Sequence, residues 1–482
     1  MLRRLCAASL LLLAALPARA ANLDVTASYD MRALSYQNLN LVSVKTMQDN
    51  QSFIANDATL GIAVRKIELE PKGGEMMTMD VGVTFRALGV AGSTTALQQQ
   101  PFSRIANNYP SADFTPFLED AYLRVYHFLG YPLEATFGRQ NYRLGSGLLL
   151  DDDGAGFTGI TMRGDLPWWD MKAEGFVFAD RDSLMASQDN GDNSLSLFGF
   201  ALALPTEGVW QLNQLFERGR AVQQVYGCSY PSSGLNYDSS GNVIPADGCY
   251  ASKTLKSFTS VRYSLNYGPM VFDGEAAIEK GMATPTDNPN DPTAKPPGRI
   301  TYNGNAEVAR AKWKQSLPRL GEGIARLSVA RGSGDNSDTP TRDEAFYPAH
   351  GHQFNGLDRS GFGDFFGATP YSAFGGNYGS NGSSTTASGL QPGNSGIVVV
   401  GIGYTPPAYR GYVLDVDYFL FQSDKAVNDS RSLGKEWDFR LRYNVQDRFG
   451  VSLNAALFTA GPASALNGAK AKKYSFEAFG RF

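Results

Sequence analysis

Three histidines in 482 residues leave little material for acid–base or metal chemistry. His127 stands beside Phe128 and close to Tyr131, the composition of an interfacial aromatic cluster before that of a catalytic group. His350 and His352 lie two apart in PAHGHQF, with Asp343 and Glu344 upstream. Those donors suit a metal, and they equally suit a solvated or loop-folding role. Asp151-Asp152-Asp153 offers hard oxygen ligands of the kind calcium takes, or an acidic outer face near the cations of lipopolysaccharide. No GxxxxGK[ST], HExxH or GxSxG string occurs, so phosphate-cradling, zincin and nucleophile-elbow chemistry have no starting point. The chain reads as a non-enzyme that needs neither cofactor nor metal.

Charge is present in another form, at every second position of apolar segments. Arg32, Arg86, Arg124, Arg163, Lys172, Arg262, Arg310, Lys312, Arg326, Arg440 and Arg442 are the basic members. Asp24, Asp30, Asp80, Asp120, Glu134, Glu174, Asp273, Glu275, Asp415, Asp417 and Asp438 are the acidic ones. Opposite them alternate Leu23, Val25, Tyr29; Met79, Val81, Val83, Phe85; Val261, Tyr263, Leu265; Trp437, Phe439, Leu441, Tyr443; and Val451, Leu453, Leu457. A helix would scatter these residues around its axis, whereas a strand gathers them on one face. Apolar faces of about 9–11 residues are the length of a tilted membrane-crossing strand, and full charges in mid-strand require a watery interior. Arg139 breaks the rule, because Leu133, Ala135 and Phe137 place it on the lipid side. A bulge at Gly138 that turns Arg139 inward is expected.

The alternating segments are 22–36, 53–66, 75–90, 117–128, 133–143, 157–165, 170–180, 194–204, 209–218, 257–267, 270–280, 301–315, 322–332, 395–405, 411–423, 434–446, 449–459 and 473–482. That predicts an all-β transmembrane antiparallel barrel of about 18 strands over residues 21–482. Short connections such as LGYP, PTEG and Gly268-Pro269 alternate with long ones near 91–116, 219–256, 281–300 and 333–394. Short periplasmic turns and long extracellular loops are the outer-membrane pattern.

Arg3 and Arg4, the apolar run Leu5–Leu16 and Ala18-Arg19-Ala20 read as a signal peptide over residues 1–20. Cys228 and Cys249, in a turn-rich stretch, then read as one disulfide in an oxidising compartment. Closing a loop of that size is worth about 3 kcal/mol. A net charge of −4 offers no basic face for nucleic acid, and a mean hydropathy of −0.25 excludes a polytopic helical protein. Apolar residues alternate from Tyr474 to a terminal Phe482, a strand of the kind read by the barrel assembly machinery of the bacterial outer membrane.

Phe137-Gly-Arg-Gln140 with Gly145 and Leu148–Asp153, the loop Ser333-Gly-Asp335 through Phe346-Tyr347-Pro348, His350, Gly356, Asp358, Gly363 and Asp364, and Leu433-Gly-Lys-Glu-Trp-Asp438 leading to Leu457-Phe-Thr-Ala-Gly-Pro462 resemble motifs of the alginate export family of outer-membrane barrels. The resemblance implies a monomeric channel for a hydrophilic solute, an anionic poly- or oligosaccharide among the options. Arg32, Arg86, Arg124, Arg139, Arg163, Arg262, Arg326, Arg440, Arg442 and Asp438 are then the expected pore lining. An arginine ladder attracts anions, and the matching carboxylates allow a fully paired lumen instead. Loop 333–394 is long enough to fold over or into the pore. The competing reading is a plugged barrel acting as a surface receptor or adhesin through its outer loops. Membrane lipid, lipopolysaccharide and the assembly machinery complete the expected partners.

Overall fold

The computed structural model describes residues 22–38, 50–69, 76–92, 114–152, 154, 156–166, 170–180, 195–219, 223–224, 236–237, 243–244, 250–286, 298–335, 341–350, 361–367, 396–427, 429–463 and 467–482. The leader, Cys228, Cys249, His352 and Asp358 lie outside the described residues.

Eighteen strands form the wall. They are β1 (Asn22–Gln37), β2 (Gln51–Glu68), β3 (Thr78–Gly92), β4 (Phe114–Tyr126), β5 (Leu133–Gln140), β6 (Phe157–Leu166), β7 (Met171–Asp180), β8 (Leu195–Pro205) and β9 (Val209–Gly219). Then follow β10 (Tyr250–Tyr267), β11 (Met270–Thr286), β12 (Asn305–Leu317), β13 (Gly321–Gly332), β14 (Ile397–Thr405), β15 (Tyr412–Val427), β16 (Ser430–Val445), β17 (Phe449–Ala460) and β18 (Lys470–Arg481). Each pairs antiparallel with its neighbours in sequence, and β1 pairs with β18 from Ser28↔Arg481 to Gln37↔Lys472. The ring closes, so no strand edge is left with unpaired backbone groups, which hydrocarbon does not tolerate.

Parity sorts the side chains as the alternation requires. Leu23, Val177, Ile402 and Leu453 lie outward and exposed, while their neighbours point inward. An exposed apolar belt around a closed ring is stable only against lipid. Aromatic residues mark the short-turn end, where Trp210 packs on Tyr263 and Tyr412 on Tyr443. Strand β9 has mixed faces: Gln214 lies among outward Trp210, Leu212 and Phe216, and Leu215 is buried inside beside Asn213 and Glu217. Tight turns use left-handed residues at Gly268, Arg319, Gln446 and Asp447. At the outer end, β15 and β16 are joined through residues 428–429, shorter than the expected pattern, because both strands extend beyond their neighbours.

The expected bulge at Gly138 is absent, and a bulge lies instead in β4, the strand before β5, where it pairs with β3. β5 pairs without interruption through Gly138↔Tyr122 and Arg139↔Ala121 on one side and Gly138↔Gly159 on the other. The register shift lies between Thr84 and Phe85, whose partners are Asp120 and Leu118, leaving Glu119 as the extra residue. Gly138 keeps a φ of +110, and a Cβ there would stand 2.3 Å from Ala121 O. Glycine is required by the close approach of β4 rather than by an insertion of its own.

Candidate functional site: a lumen narrowed by two infolded segments

The inward face changes character along the barrel. Toward the short-turn end it is polar, with charged side chains in pairs. Toward the long-loop end it becomes apolar, as in β1, where Asp24, Thr26, Ser28 and Arg32 give way to buried Leu34 and Tyr36. Loops folded into the barrel cover this apolar zone.

The first is segment 141–156. Arg143–Leu144 pairs with Leu150–Asp151 to make a small hairpin, and Leu148, Leu149 and Leu150 are buried. Tyr142 packs between Phe176 and Phe178 of β7, at 5.0 and 4.8 Å between ring centroids. The hairpin reaches the wall formed by β10 and β11. Ser146 donates from its backbone N and Oγ to Glu275 Oε2 at 2.7 and 2.6 Å, and Arg262 Nη1 donates to Gly145 O at 2.9 Å. At its other end, Arg86 Nη1 donates to Gly154 O at 3.1 Å.

The second is formed by residues 333–335, 341–350 and 361–367. Arg342–Asp343 runs parallel to Ile300–Tyr302. Phe346 is fully buried against Phe258, and Tyr347 N donates to Glu279 Oε2 at 2.8 Å. Lys256 joins Glu279 at 2.9 Å and lies over the rings of Tyr302 and Tyr347 at 4.4 and 5.5 Å. Farther on, Phe362, Phe365 and Phe366 are buried. Phe366 stacks on Phe421 at 4.1 Å, Phe365 on Phe458 at 5.4 Å, and Arg310 lies over Phe362. Glu436 accepts from the backbone N of Phe365 and Phe366, Asp438 accepts from Asp364 N, and Lys473 Nζ meets Asp364 Oδ1 at 3.0 Å.

The two segments meet in the lumen. Leu150 and His350 form a parallel bridge, and Asp151 N donates to His350 O at 2.7 Å. His350 Nδ1 lies 2.6 Å from Asp151 O. A carbonyl only accepts, so Nδ1 carries the proton. The motif residues Phe346, Tyr347 and His350 thus belong to an interior contact rather than to an open outer loop, and Pro348 lies between them. Asp151 and Asp152, expected on the outer surface, are buried. The carboxylate of Asp152 accepts from Tyr142 N and Gly156 N, and burial raises its pKa to about 6. Asp343 is raised further, to about 7, by burial and by nearby Asp335. Among the described residues no His, Cys, Asp and Glu cluster suits a metal. The watery interior expected from the mid-strand charges holds for the polar wall, while the outer part of the lumen holds a buried, aromatic-rich core, in keeping with a loop long enough to fold into the pore.

Below that core the charged residues stand in groups. Arg32 and Arg440 both face Glu477, at 2.8 and 4.0 Å. Arg326 meets Asp415 and Asp417 at 3.3 and 3.0 Å, and Arg442 meets Asp415 at 3.2 Å. Arg124 and Arg163 share Glu134, with Glu174 also on Arg163. Arg262 pairs with Asp273, and Arg86 with Asp57 and Glu119. Arg163, Arg440 and Arg442 keep 45%, 32% and 34% of their side chains exposed, which leaves donor groups accessible from the lumen. Arg139 does not turn inward as expected: the uninterrupted pairing opposite Ala121 and Thr158 keeps it on the face of Phe137, where its Nε donates to Leu118 O beside the β4 bulge. The latch residues Glu436, Lys473, Lys256 and Glu279 were not singled out from sequence. Glu436 is one inward step before Asp438, and Lys473 two steps before Glu477, so extending the strand parity would have found both.

No family model matches the chain, and no curated protein matches it in sequence. The resemblance to alginate exporters accordingly rests on its motifs alone. Among solved structures the chain is similar to OccAB4 of Acinetobacter baumannii, with 10% identity, 95% of this chain and 98% of that chain covered, and a TM-score of 0.53. It is similar to a BenF-like porin from Pseudomonas fluorescens Pf-5, with 12% identity, 96% and 98% covered, and a TM-score of 0.53. The Pseudomonas aeruginosa outer membrane protein OpdK gives 12% identity, 95% and 99% covered, and a TM-score of 0.50. Identities this low establish the fold and nothing finer. The chain is a closed β-barrel of eighteen antiparallel strands with an apolar outer face, the fold of these porins.

Proposed function

We propose that this barrel is a passive channel for small hydrophilic solutes with a preference for anions. The observation that carries this reading is the arrangement of the lumen. Two infolded segments occupy its outer part, and arginines with partly exposed side chains line the polar wall below them. A guanidinium held on one side by a carboxylate still presents N–H groups to a passing carboxylate or phosphate. The outer narrowing favours short solutes over an extended polysaccharide. Planar-bilayer recording tests the proposal: discrete open events with an anion-selective reversal potential are expected.

The buried core of Phe346, Phe362, Phe365 and Phe366 favours a second reading, a plugged barrel that binds partners at its outer surface. Electrically silent bilayers, both for the native chain and for Glu436→Ala with its latch loosened, would support that reading over the channel.

A further inference from the structure

The outward face is apolar around most of the ring, but it changes at the outer ends of β16, β17, β18 and β1. Lys435, Lys470 and Lys472 are exposed there, each alternating with a buried inward residue: Glu436, Ala471 and Lys473. The register sets them in a row. Lys435 is opposite Thr459, Thr459 is opposite Lys470, and Lys472 is opposite Gln37 across the closure of the barrel. Strands about 4.8 Å apart put Lys435 and Lys470 roughly 10 Å from each other, and two residues along a strand put Lys472 about 7 Å from Lys470. Long side chains let the three ammonium groups converge.

Among the described residues no carboxylate pairs with any of these lysines. Arg331, also on the outward rim, is by contrast neutralised, meeting Asp424 at 2.9 Å and Glu307 at 3.5 Å. Two residues below the lysines, toward the membrane, stand Trp437 and Tyr474, with Leu457 opposite Trp437. Trp437 packs on Tyr418 at 4.6 Å. Aromatic residues mark the hydrocarbon boundary of such barrels, so the lysines sit at headgroup level in the outer leaflet. Beside them opens a largely polar cleft of about 440 Å³, lined by Ser35, Tyr36, Gln37, Asn38, Asn50 and Ser52 with Lys470 and Lys472. Its walls are tied together, as Asn38 Nδ2 donates to Lys470 O at 2.7 Å and Asn38 N to Asn50 Oδ1 at 3.1 Å.

We propose that this face binds the phosphorylated glucosamine headgroup of an outer-leaflet glycolipid. Its phosphates lie on Lys435, Lys470 and Lys472, its sugar hydroxyls and amides enter the polar cleft, and its acyl chains descend over Trp437, Leu457 and Tyr474. The site is on the outside of the wall and does not depend on what crosses the lumen.

The test uses the full chain in detergent, with bisphosphorylated lipid A as the probe and native mass spectrometry and fluorescence titration as readouts. Saturable binding of one lipid is expected for the native chain. The triple variant Lys435→Gln, Lys470→Gln, Lys472→Gln should lose at least tenfold in affinity, and the corresponding triple arginine variant should restore it. Dephosphorylated lipid A should bind the native chain as weakly as lipid A binds the triple glutamine variant. Equal affinity in the native and glutamine chains would overturn the assignment. So would displacement of the lipid by micromolar inorganic phosphate, which would make this a site for the free anion. Heat-modifiable migration on gels checks that each variant is folded. If the triple chain is not, Lys435→Gln and Lys472→Gln singly should each weaken binding severalfold, and unchanged affinity in both would reject the proposal.

Discussion

Asp343 carries the consequence of infolding on a single carboxyl group. Its Oδ1 accepts from Ala345 N at 3.0 Å, while Oδ2 is buried without a hydrogen-bond partner. Desolvation is the larger cause of its rise to about 7, Asp335 adds to it, and Lys256 opposes it. Asp152 in the other segment is raised to about 6, also mainly by burial. Well below the ordinary aspartate value of 3.8 these carboxyls are protonated whether the segments are docked or released. Between about pH 4 and 7 only the docked state holds the protons, so docking weakens as pH rises through that window and levels off above it. Conductance is expected to be larger at pH 8 than at pH 5. Asp343→Asn keeps the Ala345 acceptor and should flatten much of the difference, and bilayer recording at the two pH values checks both. A second expectation concerns the arginines. Arg440→Glu with Arg442→Glu places new carboxylates beside Glu477 and Asp415. The reversal potential in a salt gradient should move toward cation preference, and an unchanged potential would remove these arginines from the selective path.

At the scale of the element, residues 361–367 form a latch whose parts come from four places in the chain. Glu436 holds the amides of Phe365 and Phe366, Asp438 holds that of Asp364, Lys473 holds the Asp364 side chain, and Phe421 and Phe458 pack the rings. Glu436→Ala leaves two buried amides without acceptors, at a cost of about 1–3 kcal/mol each. The expected result is proteolytic cleavage within the segment and a higher open conductance, read by limited proteolysis and bilayer recording. Gly363 has a φ of +78, and a Cβ there would come within 2.8 Å of both Glu436 Oε2 and Phe421 Cζ. Gly363→Ala should loosen the same latch without altering any charge.

For the whole molecule, the apolar belt and the closed ring are one requirement. Leu453→Arg puts a charge in the exposed belt of β17. It is expected to destabilise the barrel by about 2–4 kcal/mol near the membrane midplane, measurable by denaturant titration in lipid vesicles.

Period-two alternation alone determined that the chain builds strands, which face of each meets lipid, and that about eighteen of them form the barrel. That information is local, because the side chains of one strand alternate by geometry whatever the rest of the chain does. It even held the clues to Glu436 and Lys473, which keep the inward parity of their strands. What tertiary structure decided is non-local. No bulge formed at Gly138 and one formed at Glu119 of β4, because only pairing reveals which strand carries an extra residue. Residues 141–152, 341–350 and 361–367 turned inward because apolar ends such as Leu34, Tyr36, Phe258, Phe421 and Phe458, hundreds of residues apart, form one surface only when the ring closes. Covering that surface requires loops that the sequence shows merely as long and polar at their margins. Burial there, rather than residue type, turned His350 and Asp151 from possible ligands into the contact where the two segments meet.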